Sequence, residues 1–330
     1  MSTTDPGGPR RTDADWMDAA AALGVRGAPQ SRPNPAVGAI IVRDGRVIGR
    51  GFTQAGGRPH AEAMALAQAG EAARGATLYV TLEPCAHASA RGPDCAGLAA
   101  RAALARVVIG CTDPDPRTAG SGIAALRTAG IDTALLPTPA ALASLRGYLM
   151  RAAQGRPYTT LKLAMSLDGR IALPDGTSRW ITGHEARAHG HLERARADAI
   201  LVGGATLRAD APKLDVRLPG LEARSPARWA LTRGAAPDGW QAVADIAAPH
   251  AFGDAQFLLV EGGGGAAATF LAADRVDRLL LYRAPIVIGA GRPCIGDIGL
   301  ASLDAAHGRW RLTDHRRLGS DTLDVYERTR

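Results

Sequence analysis

A chain of 330 residues exceeds what one ordinary hydrophobic core serves, so two domains are expected. The composition is globular, 46% hydrophobic and 22% charged. It has no apolar run of membrane-spanning length, and the start, MSTTDPGGPRRTDADWMDAAAAL, lacks a signal-peptide pattern. The net charge of +7 is carried almost wholly by arginine, which admits nucleic acid but equally suits phosphorylated small molecules, because the guanidinium fork matches phosphate oxygens. No Lys/Arg run is interleaved with aromatics, as a stacking single-strand binder would need. The expectation is a cytoplasmic protein with neither a membrane nor a nucleic-acid partner, whose four cysteines are thiols or metal ligands before they are disulfides.

Residues 1–12 are rich in Gly, Pro and Thr and read as a disordered tail. A helix is expected from Asp13 to Leu23, then a hairpin over Val37–Phe52 turning at Asp44-Gly45. AEAMALAQAGEAA reads as helix, ATLYVTLEP as a buried strand, DCAGLAARAAL as helix and ARVVIGCTDP as strand. GIAALRTAG, closed by Gly130, is a helix, and IDTALLP is a strand. This alternation predicts an α/β/α sandwich over residues 13–148. The polar stretch Arg151–Pro157 marks a boundary, and the pattern restarts over 149–330. YTTLKLAMSLDGRIA is strand into a DG turn, HEARAHGHLERARAD helix, AILVGGATL strand into a glycine turn, and ARWALT strand. QFLLVEGGGGAAATFLAA reads strand, glycine loop, helix, while RLLLYRAPIVIG, RWRLTDHRR and TLDVYER finish as strands. A second α/β domain follows.

His60, Cys85 and Cys95 have the donor types of a Zn²⁺ site that keeps one position open for water. His60 opens one predicted helix and Cys95 another, where the partial positive charge of a helix start favours thiolate. Glu62, two residues after His60, is free to move protons. His-x-Glu followed by Pro-Cys is the pattern of zinc deaminases, in which the glutamate is the general acid/base. Cys111 and Cys294 lack such company and read as structural. His184, His189 and His191 lack metal spacing and read as a solvated helix face.

Nucleoside and tRNA deaminases usually carry Pro-Cys-x-x-Cys, whereas nine residues separate the cysteines here. With PNPAVGAIIV upstream, the stretch from Arg32 to about Pro116 resembles the pyrimidine deaminase of riboflavin biosynthesis. The family's GRTPPC is replaced by SARGPDC, one residue longer. The resemblance implies a cytidine-deaminase-like fold, with Asn34 reading the pyrimidine and His87 and Arg91 on the substrate side.

KLAMSLDGRIA (Lys162–Ala172), SRWIT (Ser178–Thr182), DAILVGGATLRADAPKLDVR (Asp198–Arg217) and VEGGG (Val260–Gly264) in turn resemble the pyrimidine reductase fused to that deaminase. That likeness implies a dihydrofolate-reductase-like domain using NADPH, and a homodimer through this domain. By position, Ala164, Trp180, Thr206 and Asp210 line the cofactor, with Gly263, Gly264 and Gly265 at the pyrophosphate. Ser178, Arg194, Leu214, Arg217 and Glu261 face a ribose-phosphate substrate, the two arginines on its phosphate. Lys162 and Asp210 stand at hydride transfer. The family's Asp-Asp-Pro is Asp210-Ala211-Pro212 here, and Arg233 is placed to meet the 2′-phosphate of NADPH. The expected function is sequential deamination and reduction of a phosphorylated pyrimidine. Two other readings stand beside it: a tRNA deaminase with an RNA-binding C-terminal domain, and a zinc-stabilised binding protein that has lost one activity.

Overall fold

The computed structural model describes residues 11–87 and 92–330, so Arg91 and the first ten residues of the expected tail lie outside the described residues. The chain divides into two compact units, Met1–Gln154 and Gly155–Arg330.

In the first unit, α1 (Asp13–Gly24) starts at a capping box: the Thr12 and Asp15 side chains each take the other's backbone N–H. Then come β1 (Gly38–Arg43), β2 (Arg46–Phe52), α2 (Ala61–Ala69), β3 (Thr77–Val80), α3 (Cys95–Arg101), β4 (Arg106–Ile109), α4 (Ser121–Thr128), β5 (Asp132–Leu135) and α5 (Pro139–Gln154). The sheet order is β2-β1-β3-β4-β5, with β1 antiparallel to both neighbours and β3, β4 and β5 parallel.

Strand periodicity separates two apolar layers. Ile40, Val42, Tyr79 and Val108 pack with Trp16, Met17 and Ala141. Ala39, Ile41, Leu78, Val80, Val107 and Ile109 pack with Ala61, Ala65, Ala69, Ala96 and Ala99. The sandwich is therefore as expected. The helix α5 was not anticipated from the sequence, and it carries the chain unbroken past the boundary expected at residue 148.

Two glycines seat α2 on the sheet. A Cβ at Gly49 would lie 2.2 Å from the Ala65 carbonyl oxygen, and one at Gly51 would lie 2.3 Å from that of Ala61. The helix that begins just after His60 can approach β2 only because both side chains are missing.

The second unit contains β6 (Tyr158–Met165), β7 (Arg170–Ala172), α6 (His184–Ala195), β8 (Ala199–Gly203), α7 (Gly204–Asp210), β9 (Ala227–Leu231), β10 (Trp240–Val243), β11 (Phe257–Val260), α8 (Gly264–Ala272), β12 (Arg278–Arg283), β13 (Arg292–Pro293), β14 (Trp310–Leu318) and β15 (Asp321–Arg328). Its main sheet runs β10-β9-β8-β11-β6-β12-β15-β14. The first six strands are parallel, and β15 and β14 close the sheet antiparallel. Short β7 and β13 pair separately.

The parallel strands read as continuous apolar runs because helices and loops cover both faces, as at Ala199–Val202 and Leu258–Val260. The glycine turn after β8 is the start of α7, and β10 carries no strong strand signal in the sequence. The expected strand continuation over Ile286–Gly289 is irregular, because Asp168 accepts from the backbone N–H groups of Ile288 and Gly289. Buried Asp277 ties the sheet to its ends, taking both arms of Arg156 and the Thr159 N–H.

Candidate active sites

In the first unit, the residue before α2, the loop after β3 and the first residue of α3 converge. His60 Nδ1 lies 3.3 Å from Cys95 Sγ and 3.7 Å from Cys85 Sγ. All three donor atoms fall within 4.8 Å of one another, and among the described residues this is the one group of three His, Cys or carboxylate donors so placed. A tetrahedral zinc with bonds of about 2.0 Å to nitrogen and about 2.3 Å to sulfur sets such atoms about 3.5 Å apart. The donor set therefore fits zinc with a fourth position open.

Local chemistry fixes each ligand. Asp94 caps α3 by accepting from Gly97 N–H, and Ala96 N–H donates to the Cys85 carbonyl, joining the two cysteine segments. A hydrogen bond from the Cys95 thiol pulls Cys85 down to about 4, against its burial and with help from His60. Cys95 is correspondingly pushed up by that same bond and by burial.

Glu62 sits in the first turn of α2, 3% exposed. Burial raises its carboxyl above the ordinary carboxylate value, with His60 opposing. A carboxyl held this way can both take and return a proton.

No local pattern marks what holds the Cys85 loop. Glu83 is buried and its carboxylate accepts from the backbone N–H groups of Asp113, Gly120 and Ile123. It pins the segment after β4 beneath the Pro-Cys turn. A Cβ at Gly122 would lie 1.9 Å from the Pro84 carbonyl oxygen, so the fit tolerates nothing larger. Thr118 from this segment meets His87, Oγ1 to Nδ1 at 3.4 Å. Asn34 donates from Nδ2 to the Gly57 carbonyl at 3.4 Å.

The second unit gathers charge across three elements. Glu261 follows β11, Lys162 lies on β6 and Arg194 on α6. Arg194 grips Glu261 with Nε at 2.7 Å and Nη2 at 2.9 Å, and Lys162 Nζ stands 3.7 Å from the same carboxylate. Burial would raise the Glu261 carboxyl, but Lys162 and Arg194 outweigh it and hold it at about 2. Lys162 also lies 5.7 Å over the ring of Tyr282, whose hydroxyl is 2.6 Å from His189 Nδ1. His189 and His191 therefore do not form the solvated face read from the sequence. α6 turns His189 toward β12, while His191 meets the Asp215 carbonyl.

Several expected site residues fall differently. Arg194 has its fork on Glu261 and Nη1 on the Asp215 carbonyl, so it positions that acid rather than offering a free grip for phosphate. Arg217 is paired with Asp215 at 2.9 Å. Asp210 is exposed at the end of α7 and makes no ion pair with Lys162. Leu214 is buried with a φ of +54°. Ser178 is half-buried, Ala164 lies on β6 beside Tyr282, and Trp180 is 67% exposed beneath the Arg187 guanidinium.

At the glycine loop, Gly263 caps α8 and faces Thr206: a Cβ there would lie 3.5 Å from Thr206 Oγ1. A Cβ at Gly264 would meet the Pro293 oxygen at 2.7 Å, while Gly265 opens to free space. Bare amides at this helix start suit a phosphate. Beyond β8 and β9 lies a cavity of about 650 Å³, and Arg233, two residues past β9, is exposed.

Residues 10–111 match the cytidine and deoxycytidylate deaminase zinc-binding region, and residues 157–249 and 251–323 match the RibD C-terminal domain. The riboflavin biosynthesis protein RibD of Aquifex aeolicus is 34% identical over 356 residues, covering 97% of this chain and 99% of that protein. The Mycobacterium tuberculosis RibD is 36% identical over 308 residues, covering 88% and 90%. Among solved structures, Acinetobacter baumannii RibD superposes with a TM-score of 0.86 at 34% identity, covering 96% and 99%. A Thermotoga maritima diaminohydroxyphosphoribosylaminopyrimidine deaminase/5-amino-6-(5-phosphoribosylamino)uracil reductase gives 0.86 at 29% identity, over the same shares.

Proposed function

This chain belongs to the RibD family of bifunctional riboflavin-biosynthesis deaminase–reductases, and on that premise we propose the substrate, the cofactor and the residues that carry each half of its chemistry. The substrate is 2,5-diamino-6-ribosylamino-4(3H)-pyrimidinone 5′-phosphate, deaminated in the first unit and reduced to the ribityl compound in the second. The observation that carries the deaminase reading is a buried Glu62 beside three metal donors that leave a fourth position open.

Zinc, when bound by His60, Cys85 and Cys95, supplies a Lewis acid that lowers the pKa of a water. Glu62 would take the proton of an attacking water as its oxygen bonds the amine-bearing ring carbon, and pass that proton to the ring nitrogen. It would then carry the new hydroxyl's proton to the amine, so that the C–N bond breaks and ammonia leaves as the carbonyl forms. Asn34 and His87 orient the ring, His87 being held by Thr118.

In the reductase, NADPH supplies the hydride. Carbon 1′ of the sugar gains C–H as its bond to the ring oxygen breaks, and Lys162 donates the proton that this oxygen takes up. Glu261, gripped by Arg194, stands 3.7 Å from Lys162 and aims it. Gly263, Gly264 and Gly265 receive the pyrophosphate beside Thr206, with Ala164 and Trp180 toward the nicotinamide. Asp210 lines the cofactor with Thr206, while Ser178, Leu214 and Arg217 border the ribose phosphate. No nucleic-acid or membrane partner enters this reading, and four free thiols suit the cytoplasm. No helix among the described residues is long and apolar enough to cross a membrane. A homodimer through the reductase unit is supported by the open sheet edge at β14.

The test is incubation with the diaminopyrimidine phosphate while ammonia and NADPH are followed together. Ammonia release that precedes stoichiometric NADPH oxidation is expected. NADPH oxidation without prior ammonia release would overturn the order, and release of neither would overturn the substrate.

A further inference from the structure

Lys162 needs more than Glu261 to be aimed. At 3.7 Å their contact is an ion pair without a hydrogen bond, which sets a distance but not a direction. The ammonium is a compact point charge at the end of a flexible stem. Glu261 is itself taken by both arms of Arg194.

A second constraint comes from the neighbouring strand. In the register of β6 against β12, Lys162 pairs with Leu280 and Ala164 with Tyr282, so period-two alternation sets all four side chains on one face. Lys162 Nζ lies 5.7 Å over the Tyr282 ring, within reach of a cation–π contact. The helix α6 covers this face, and a Cβ at its Gly190 would lie 4.0 Å from Lys162 Cε, so the lysine stem runs against it. Elsewhere in the unit, Arg187 stacks on Trp180 at the surface, where such contacts are weak. Tyr282 is 1% exposed, and desolvation strengthens the attraction.

The ring is also fixed at its far end. Its hydroxyl meets His189 Nδ1 at 2.6 Å, with the two rings 5.8 Å apart and tilted by 55°. Burial lowers His189, opposed by Glu193 and reinforced by Arg316, Arg196 and Arg278. Burial raises the Tyr282 hydroxyl, and the Glu193 and Glu261 carboxylates add to it. A neutral imidazole thus accepts from a neutral phenol, and the hydroxyl is turned to α6 while the ring face is left for the lysine.

We propose that Tyr282 is a positioning residue of the reductase: its ring face, anchored by His189, is the second wall that holds the Lys162 ammonium toward the sugar oxygen. The proposal rests on the reading of Lys162 as proton donor given above. Tyr282 acts through Lys162 and exchanges no proton with the sugar.

The test follows NADPH oxidation of the deaminated intermediate by the full chain, with NADPH binding by calorimetry as the measure of an intact reductase unit. Tyr282→Leu is expected to lower kcat by about tenfold or more, while the KM values for NADPH and the pyrimidine stay within about twofold. Tyr282→Phe, which keeps the face, should hold kcat within about threefold of the wild type. Increasingly fluorinated phenylalanines at position 282 keep the ring's shape but withdraw charge from its face, and kcat should fall stepwise along the series. An unchanged kcat in Tyr282→Leu, equal losses in Tyr282→Phe and Tyr282→Leu, or a flat fluorine series would overturn the assignment. Should Tyr282→Leu no longer bind NADPH, the fluorine series decides. Lys162→Met separates the two readings. If it keeps turnover, the proton-donor reading itself fails. If it loses turnover while the tyrosine variants keep theirs, only the role of the ring fails.

Discussion

The metal site of the first unit and the charged site of the second are built in opposite ways. His60, Cys85 and Cys95 are rare residue types, two of them at helix starts and one in the loop after β3, and their side chains converge with little help from distant charges. Lys162, Glu261 and Arg194 come from a strand, a loop and a helix, and each is defined by the other two. A ligand set is recognised by what its residues are. A charge network is recognised only by where its residues meet.

The largest effect expected from breaking this contrast is on the metal side. Cys85→Ser should release zinc, measured by metal analysis, and abolish deamination while NADPH oxidation of the deaminated intermediate persists. Glu62→Gln should keep the zinc and still lose deamination by about 10²- to 10⁴-fold, the usual worth of a positioned proton carrier. Full activity in Glu62→Gln would remove this carboxyl from the mechanism.

On the charged side, Glu261→Gln leaves two half-buried cations without their acid. A loss of about 3–5 kcal/mol in unfolding free energy is expected, together with loss of reductase activity and intact deamination. The effect has a pH signature. The folded Glu261 carboxyl is held at about 2, below its unfolded value. Its contribution is therefore complete above the unfolded value and is lost as pH falls through the window down to about 2. The gap in melting temperature between wild type and Glu261→Gln should narrow as pH drops from 6 toward 3. A constant gap would mean the pair is not what the carboxylate supplies.

The smallest effect sharpens the comparison from within the deaminase. Glu83→Gln keeps the shape but weakens three hydrogen bonds to backbone amides, at a cost of about 1–3 kcal/mol. Because Glu83 ties the loop that carries Cys85 to the segment that carries Thr118, the KM for the pyrimidine should rise more than kcat falls. An unchanged KM with lower stability would leave it a purely structural acid.

Most strands and helices were legible, since period-two and helical patterns match the layers that HAE and EPC open onto. The helix α5 and strand β10 were not, because their apolar residues are diluted by arginine, alanine and polar neighbours. The three metal donors were legible as a group from residue type alone, and the fold brings their donor atoms together. That the Arg194 fork is taken up by Glu261 was not legible, because in a chain rich in arginine no local pattern distinguishes a paired guanidinium from an exposed one such as Arg233.

By itself, then, the sequence determined the two α/β units and the chemistry of the zinc site, because periodicity and ligand type are local properties. Tertiary structure alone decided that Gly49 and Gly51 bring α2 onto the sheet, that Glu83 locks the cysteine loop, and that Glu261 is shared between Lys162 and Arg194. Each of these depends on a distance between residues far apart in the chain, and such distances are set by packing rather than by any spacing along it.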